Sequence, residues 1–71
     1  MSYEVKSPMP AKVFEVHVNE GDTVDEEDVL VTLESMKMEI PVETEIAGVV
    51  SSVKAVLGST VAKGDVLVVI D

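Results

Sequence analysis

The chain has 71 residues, five lysines, no arginine, 14 acidic residues and no cysteine, for a formal charge of -9 at neutral pH. A chain this short buries only about 60% of the surface it exposes when unfolded, so residues 1–71 read as one small domain without a deep substrate pocket, and an independent enzyme is not expected. The charge repels nucleic-acid phosphates and anionic membrane surfaces, and without cysteine there is no disulfide, thiolate nucleophile or thiolate metal site.

The N-terminal Met1-Ser2-Tyr3-Glu4 does not open a basic, apolar leader. The apolar run over 66–70 is too short to span a bilayer. Lack of cysteine fits a reducing compartment, and the expected location is the cytoplasm. Sixteen valines, three isoleucines and four threonines favour a pleated sheet over a helix. Only Tyr3 and Phe14 are aromatic, so the core is thin and built from short side chains.

Along the chain the pattern has period two. In Val13-Phe14-Glu15-Val16-His17-Val18, Val16 and Val18 point one way and Glu15 and His17 the other. Residues 29–33 place Val29, Val31 and Leu33 on one face. Residues 38–42, 49–53 and 66–70 read as three more strands. Turn residues interrupt at Pro8-Met9-Pro10, Asn19-Glu20-Gly21-Asp22, Leu57-Gly58-Ser59 and Lys63-Gly64-Asp65. Residues 22–40 lack glycine and proline but are too β-branched, and too turn-like at their acidic cluster, for a helix. The pattern is that of a small all-β sandwich or barrel.

The chain is also duplicated. Shifted by 37, residues 11–34 lie over 48–71 with nine identities in 24 positions and no gap: Val13/Val50, Val16/Val53, Gly21/Gly58, Thr23/Thr60, Val24/Val61, Asp28/Asp65, Val29/Val66, Leu30/Leu67 and Val31/Val68. Two copies cannot make a solenoid. They predict two four-stranded halves packed across a pseudo-twofold axis, each too small to bury its apolar face alone.

Between the copies lies Ser35-Met36-Lys37-Met38. It joins two strands, so it reads as a tight hairpin. Two-residue hairpins favour positive φ and usually carry Gly or Asn there. Met36-Lys37 is not such a pair, which predicts backbone strain accepted to present these side chains. A turn lysine by itself is only a solvated charge. Two thioethers beside it are apolar surface adaptable to a partner, unless Met36 or Met38 tucks back into the core.

These residues resemble the biotinyl/lipoyl carrier domains, and within them the biotin carboxyl carrier type. Glu34-Ser35-Met36-Lys37-Met38 looks like the family's attachment motif, Glu-Ala-Met-Lys-Met. Ser7-Pro8-Met9-Pro10 with Val13, and Glu20-Gly21-Asp22-Thr23-Val24, match its first half. Gly48-Val49-Val50 and Lys63-Gly64-Asp65-Val66-Leu67 match its second. The resemblance covers nearly the whole chain. It departs at Ser35, where alanine is usual, and at Ala11, where glycine is common. The short link from Val18 to Thr23 lacks the thumb insertion of some bacterial acetyl-CoA carboxylase carriers. With no Pro/Ala-rich linker or large enzyme domain, the chain is expected to be a free, thumbless carrier.

The resemblance implies a flattened barrel or sandwich of two four-stranded antiparallel sheets related by a quasi-twofold. It implies that Lys37 receives covalent biotin from a biotin protein ligase. Met36 and Met38 then bear on the choice of ligase and later partners, and Glu34 on orienting the modifying enzyme. A lysine ammonium must lose its proton before it attacks biotinyl-adenylate, a task for the ligase. A biotin carboxylase would load a carboxyl group from bicarbonate at the expense of ATP, and a carboxyltransferase would pass it on. The carrier itself is non-catalytic.

Two other readings share this sequence. A lipoyl carrier has the same fold and hairpin lysine, with Asp-Lys-Ala as its usual flank. Lipoate from a lipoate ligase, alone or besides biotin, is thus the alternative on Lys37. An unmodified barrel that only spaces other proteins, as in efflux adaptors, has no need of Met-Lys-Met. Elsewhere, Asp25-Glu26-Glu27-Asp28 lacks the alternating acids and glycine of a calcium loop and reads as a solvated turn. His17 reads as an exposed strand residue without a catalytic or metal partner.

Overall fold

The computed structural model describes residues 2–71. Eight strands follow one another: β1 (Tyr3–Lys6), β2 (Ala11–Val16), β3 (Thr23–Val24), β4 (Val29–Ser35), β5 (Met38–Glu43), β6 (Gly48–Val53), β7 (Thr60–Val61) and β8 (Val66–Ile70). Among the described residues there is no helix, including the glycine-free stretch 22–40. The strands form two four-stranded antiparallel sheets, ordered β1-β8-β6-β3 and β5-β4-β2-β7. Advancing each strand by four turns one sheet into the other, as the duplication predicts.

The sheets stay open rather than closing into a barrel, and their edges are blunted. β3 and β7 are two residues each. β5 carries Pro41, which has no amide to offer a neighbour. β1 is four residues long and carries the charged pair Glu4 and Lys6. The core lies between the sheets and is paired by the repeat. Val13 and Val50, Leu30 and Leu67, Val31 and Val68, and Leu33 and Ile70 are all essentially inaccessible.

The alternation read from 29–33 fails at one point. The register shifts between Val29 and Val31, and on the other side between Val13 and Glu15. A bulge adds one residue and reverses the in-out parity. Leu30 therefore joins Val31 and Leu33 in the core, and Val29 is left exposed. The second copy repeats the device: β8 gains a residue between Val66 and Val68 against β1, β6 gains one between Val50 and Ser52, and Leu67 is buried beside Val68.

The repeat also reaches further than its identities. Ser7 and Thr44, 37 apart and both buried, do the same work. The Ser7 amide donates to Asp65 O and the Thr44 amide to Asp28 O; the Gly64 amide donates to Ser7 O and the Glu27 amide to Thr44 O, all at 2.8–3.0 Å. Each hydroxyl donates to the carbonyl two residues on, Ser7 to Met9 at 2.6 Å and Thr44 to Ile46 at 2.7 Å. Asp28 and Asp65, identical in the repeat, each accept from the amide three residues back, Asp25 and Ala62, at 2.8 Å. The acidic cluster 25–28 is thus a closed turn. His17 is exposed, with Nε2 2.8 Å from Thr32 Oγ1.

Candidate functional site

β4 is the most buried strand of its sheet, with Leu30, Val31, Thr32 and Leu33 all inside. β2 and β5 flank it on either side. The β4–β5 register pairs Leu33 with Ile40, Glu34 with Glu39 and Ser35 with Met38. Only Met36 and Lys37 remain to turn the chain. Both are left-handed, with φ of 52° and 64°. This is the positive-φ pair that a two-residue hairpin compatible with strand twist demands. For side-chain-bearing residues it costs roughly 1–2 kcal/mol each. The strain predicted from the sequence is present.

The tip is fully presented. Met36 is 90% exposed and Met38 66%, so neither tucks into the core. Lys37 is exposed and makes no ion pair among the described residues. Glu34 is half-buried one rung below, between Lys12 of β2 and Glu39 of β5. The four residues singled out in the sequence therefore share one hairpin, with three at its tip and Glu34 on its stem. Lys12 and Glu39, the cross-strand neighbours of Glu34, carry no signal in the sequence, because register decides them.

β1 starts with Tyr3 opposite Ile70 and runs antiparallel along β8, away from the chain's end, to Lys6 opposite Val66. After the turn at Pro8-Met9-Pro10, β2 begins just below the tip, where Lys12 faces Glu34. The termini, joined by a Ser2 Oγ to Asp71 Oδ1 hydrogen bond of 2.8 Å, thus lie at the end opposite the tip of a molecule 33 Å long.

A cofactor held here has no enclosure. One surface cleft lies between β1 and β5, lined by Tyr3, Lys6, Pro8 and Pro41 among others; another lies around His17, Asp22 and Asp28. Neither includes a residue of 34–38. No cluster among the described residues has the ligands for a metal. What the tip does offer is a primary amine on an exposed hairpin, a group suited to covalent attachment.

Residues 3–70 match the family described as biotin-requiring enzyme. The chain belongs to this family. It is 49% identical over 70 residues to the biotinylated protein TB7.3 homolog of Mycobacterium leprae, covering 99% of each. It is 45% identical over 64 residues to the biotin carboxyl carrier protein of Streptococcus mutans, covering 90% of this chain and 49% of that one. Its fold matches part of the Kluyveromyces lactis urea carboxylase with a TM-score of 0.93 and 25% identity, over 100% of this chain and 6% of that one. This biotin-family domain therefore spans nearly all of the first relative, half of the second and a small part of the third.

Proposed function

We propose that the protein is a biotin carrier, that Lys37 is its attachment residue, and that it moves a carboxyl group between a biotin carboxylase and a carboxyltransferase. The observation that carries this reading is the exposed amine of Lys37 at a left-handed tip between two exposed thioethers, in a chain of the biotin family.

The fold supplies the stem and the chain supplies the nucleophile. A biotin protein ligase brings the acyl adenylate and a base. Lys37 Nζ gives one proton to that base and attacks the acyl carbon; the C–O bond to the nucleotide phosphate breaks, the nucleotide leaves with the electron pair, and the nitrogen sheds a second proton as the amide forms. The lysine charge disappears and its four methylenes become half of a long tether. Biotin, once attached, supplies a ureido ring able to accept and release a carboxyl group. The hairpin holds the root of the tether at one end of a molecule 33 Å long. That keeps the rest of the domain clear while the tether enters a partner. Tethering also gives both partner sites a high effective concentration of the group. The domain has no catalytic set of its own in this reading. The charge of -9 favours basic docking surfaces. The absence of cysteine agrees with a cytoplasmic location.

Incubation with a biotin protein ligase, biotin and ATP tests the assignment. Intact mass is expected to rise by one biotinyl group, with a streptavidin-positive band, and Lys37→Ala is expected to abolish both while circular dichroism stays unchanged. Unmodified Lys37 under an active ligase overturns it. Mass also separates biotinyl from lipoyl in protein recovered from its own host, where a lipoyl group alone would favour the second acceptor chemistry on the same lysine.

A further inference from the structure

The tip carries two thioethers that the fold does not use. Neither Met36 nor Met38 belongs to the core or packs against it, whereas Met9 is half-buried. Thioether sulfur is oxidised where an oxidant can reach its lone pairs. With no cysteine in the chain, the methionines are the sulfur that a peroxide meets. The two most accessible of the described ones stand immediately either side of Lys37.

We propose that Met36 and Met38 form a reversible oxidation site that controls loading of Lys37. The inference rests on Lys37 being the attachment residue. The oxidant is a peroxide: its O–O bond breaks, one oxygen passes to sulfur to form the S=O bond, and water leaves. Sulfur loses two electrons and the peroxide gains them. A methionine sulfoxide reductase, drawing two electrons and two protons from a dithiol, returns the oxygen as water.

The consequence follows from position. An enzyme that draws Lys37 Nζ into a water-excluded site must cover the residues on either side of it. A thioether is apolar and adapts to such a surface. A sulfoxide is a strong acceptor, and covering it without a donor is unfavourable. Oxidation should therefore slow ligation about tenfold for each tip sulfoxide that the ligase covers without a donor. The fold should not change, because neither side chain packs against the core.

The test uses the full chain, treated briefly with hydrogen peroxide, quenched with catalase, mapped by peptide mass and then given biotin protein ligase, biotin and ATP. Met36 and Met38 are expected to gain oxygen several-fold faster than Met9. Ligation is expected to slow at least tenfold, and methionine sulfoxide reductase with dithiothreitol to restore it. In the double variant Met36→Leu/Met38→Leu, the ratio of treated to untreated rates is expected to be near one. Oxidation of Met9 as fast as the tip, an unchanged ligation rate in the mapped disulfoxide, or a peroxide effect that persists in the double variant would each overturn the proposal. Failure of the untreated protein to accept biotin would instead remove the Lys37 assignment beneath it.

Discussion

The turns 25–28 and 62–65 are copies of each other, closed by the same amide-to-Asp bond and docked on Thr44 and Ser7 in the same way. They differ at the left-handed position. The second uses Gly64 at φ 90° and the first uses Glu27 at φ 71°. Glu27 is exposed and lies outside the hairpin of the candidate site, so its strain is read as what the repeat's geometry requires of whichever residue stands there. That changes what the hairpin means. Positive φ at Met36 and Lys37 follows from a two-residue connection and does not by itself mark a site. The tip is set apart by other things. It is the element whose place in the other copy is taken by the chain termini, and its apolar side chains stand in water. The copies diverge in a similar way at another turn, where Asn19-Glu20 is answered by the exposed Val56-Leu57.

If the halves are energetic as well as geometric copies, paired substitutions should cost the same. Leu30→Ala and Leu67→Ala, both at fully buried positions, are each expected to lose about 3 kcal/mol in urea unfolding. A difference well above 1 kcal/mol between them would break the equivalence. The next effect is asymmetric by design. A Cβ on Gly48 would collide with the backbone Asp71 O and meet Ile70 Cγ2 at 2.7 Å. Gly48→Ala is therefore expected to lose about 2 kcal/mol. Its copy, Ala11, already holds a buried methyl there, so Ala11→Gly should lose only about 1 kcal/mol. Smaller still is the turn pair. Gly64→Ala should lose about 1 kcal/mol, and Glu27→Gly should gain a few tenths, since relief of the left-handed strain outweighs the added freedom of the unfolded chain. Loss of stability in Glu27→Gly would show that Glu27 contributes something the exposed turn does not reveal.

The sequence made β2, β4, β5, β6 and β8 legible from alternation or apolar runs, though not β1, whose four residues lie before the first turn signal, and the duplication related the two halves. It hid the bulges, because an added residue reverses parity without leaving a mark in the pattern: Leu30 looks outward until the register is known. It hid β3 and β7, since two residues carry no period, and the Ser7/Thr44 pair, since the two hydroxyls act alike without being identical. Resemblance to the carrier domains supplied the eight-strand architecture that alternation alone left incomplete. At the tip, the spacing fixed a two-residue loop around Met36-Lys37. Whether its methionines faced inward could not be read there, because a thioether packs into a core as readily as it meets a partner.

A stability effect as small as that of the turn pair separates strain from presentation most sharply. Met36→Asn puts at a left-handed position the residue that, after glycine, best tolerates it. Met36 makes no core contact to lose. Unfolding by urea should therefore show a gain of about 0.5 kcal/mol. Ligation should move the other way and slow several-fold, because the amide brings polar atoms beside Lys37 that an enclosing enzyme must desolvate. A more stable domain that accepts biotin less readily would show that methionine is kept at this position against the preference of the turn, for what its side chain offers to a partner. A domain that becomes more stable and accepts biotin equally fast would reduce Met36 to the status of Glu27, a residue that tolerates a geometry and does nothing further.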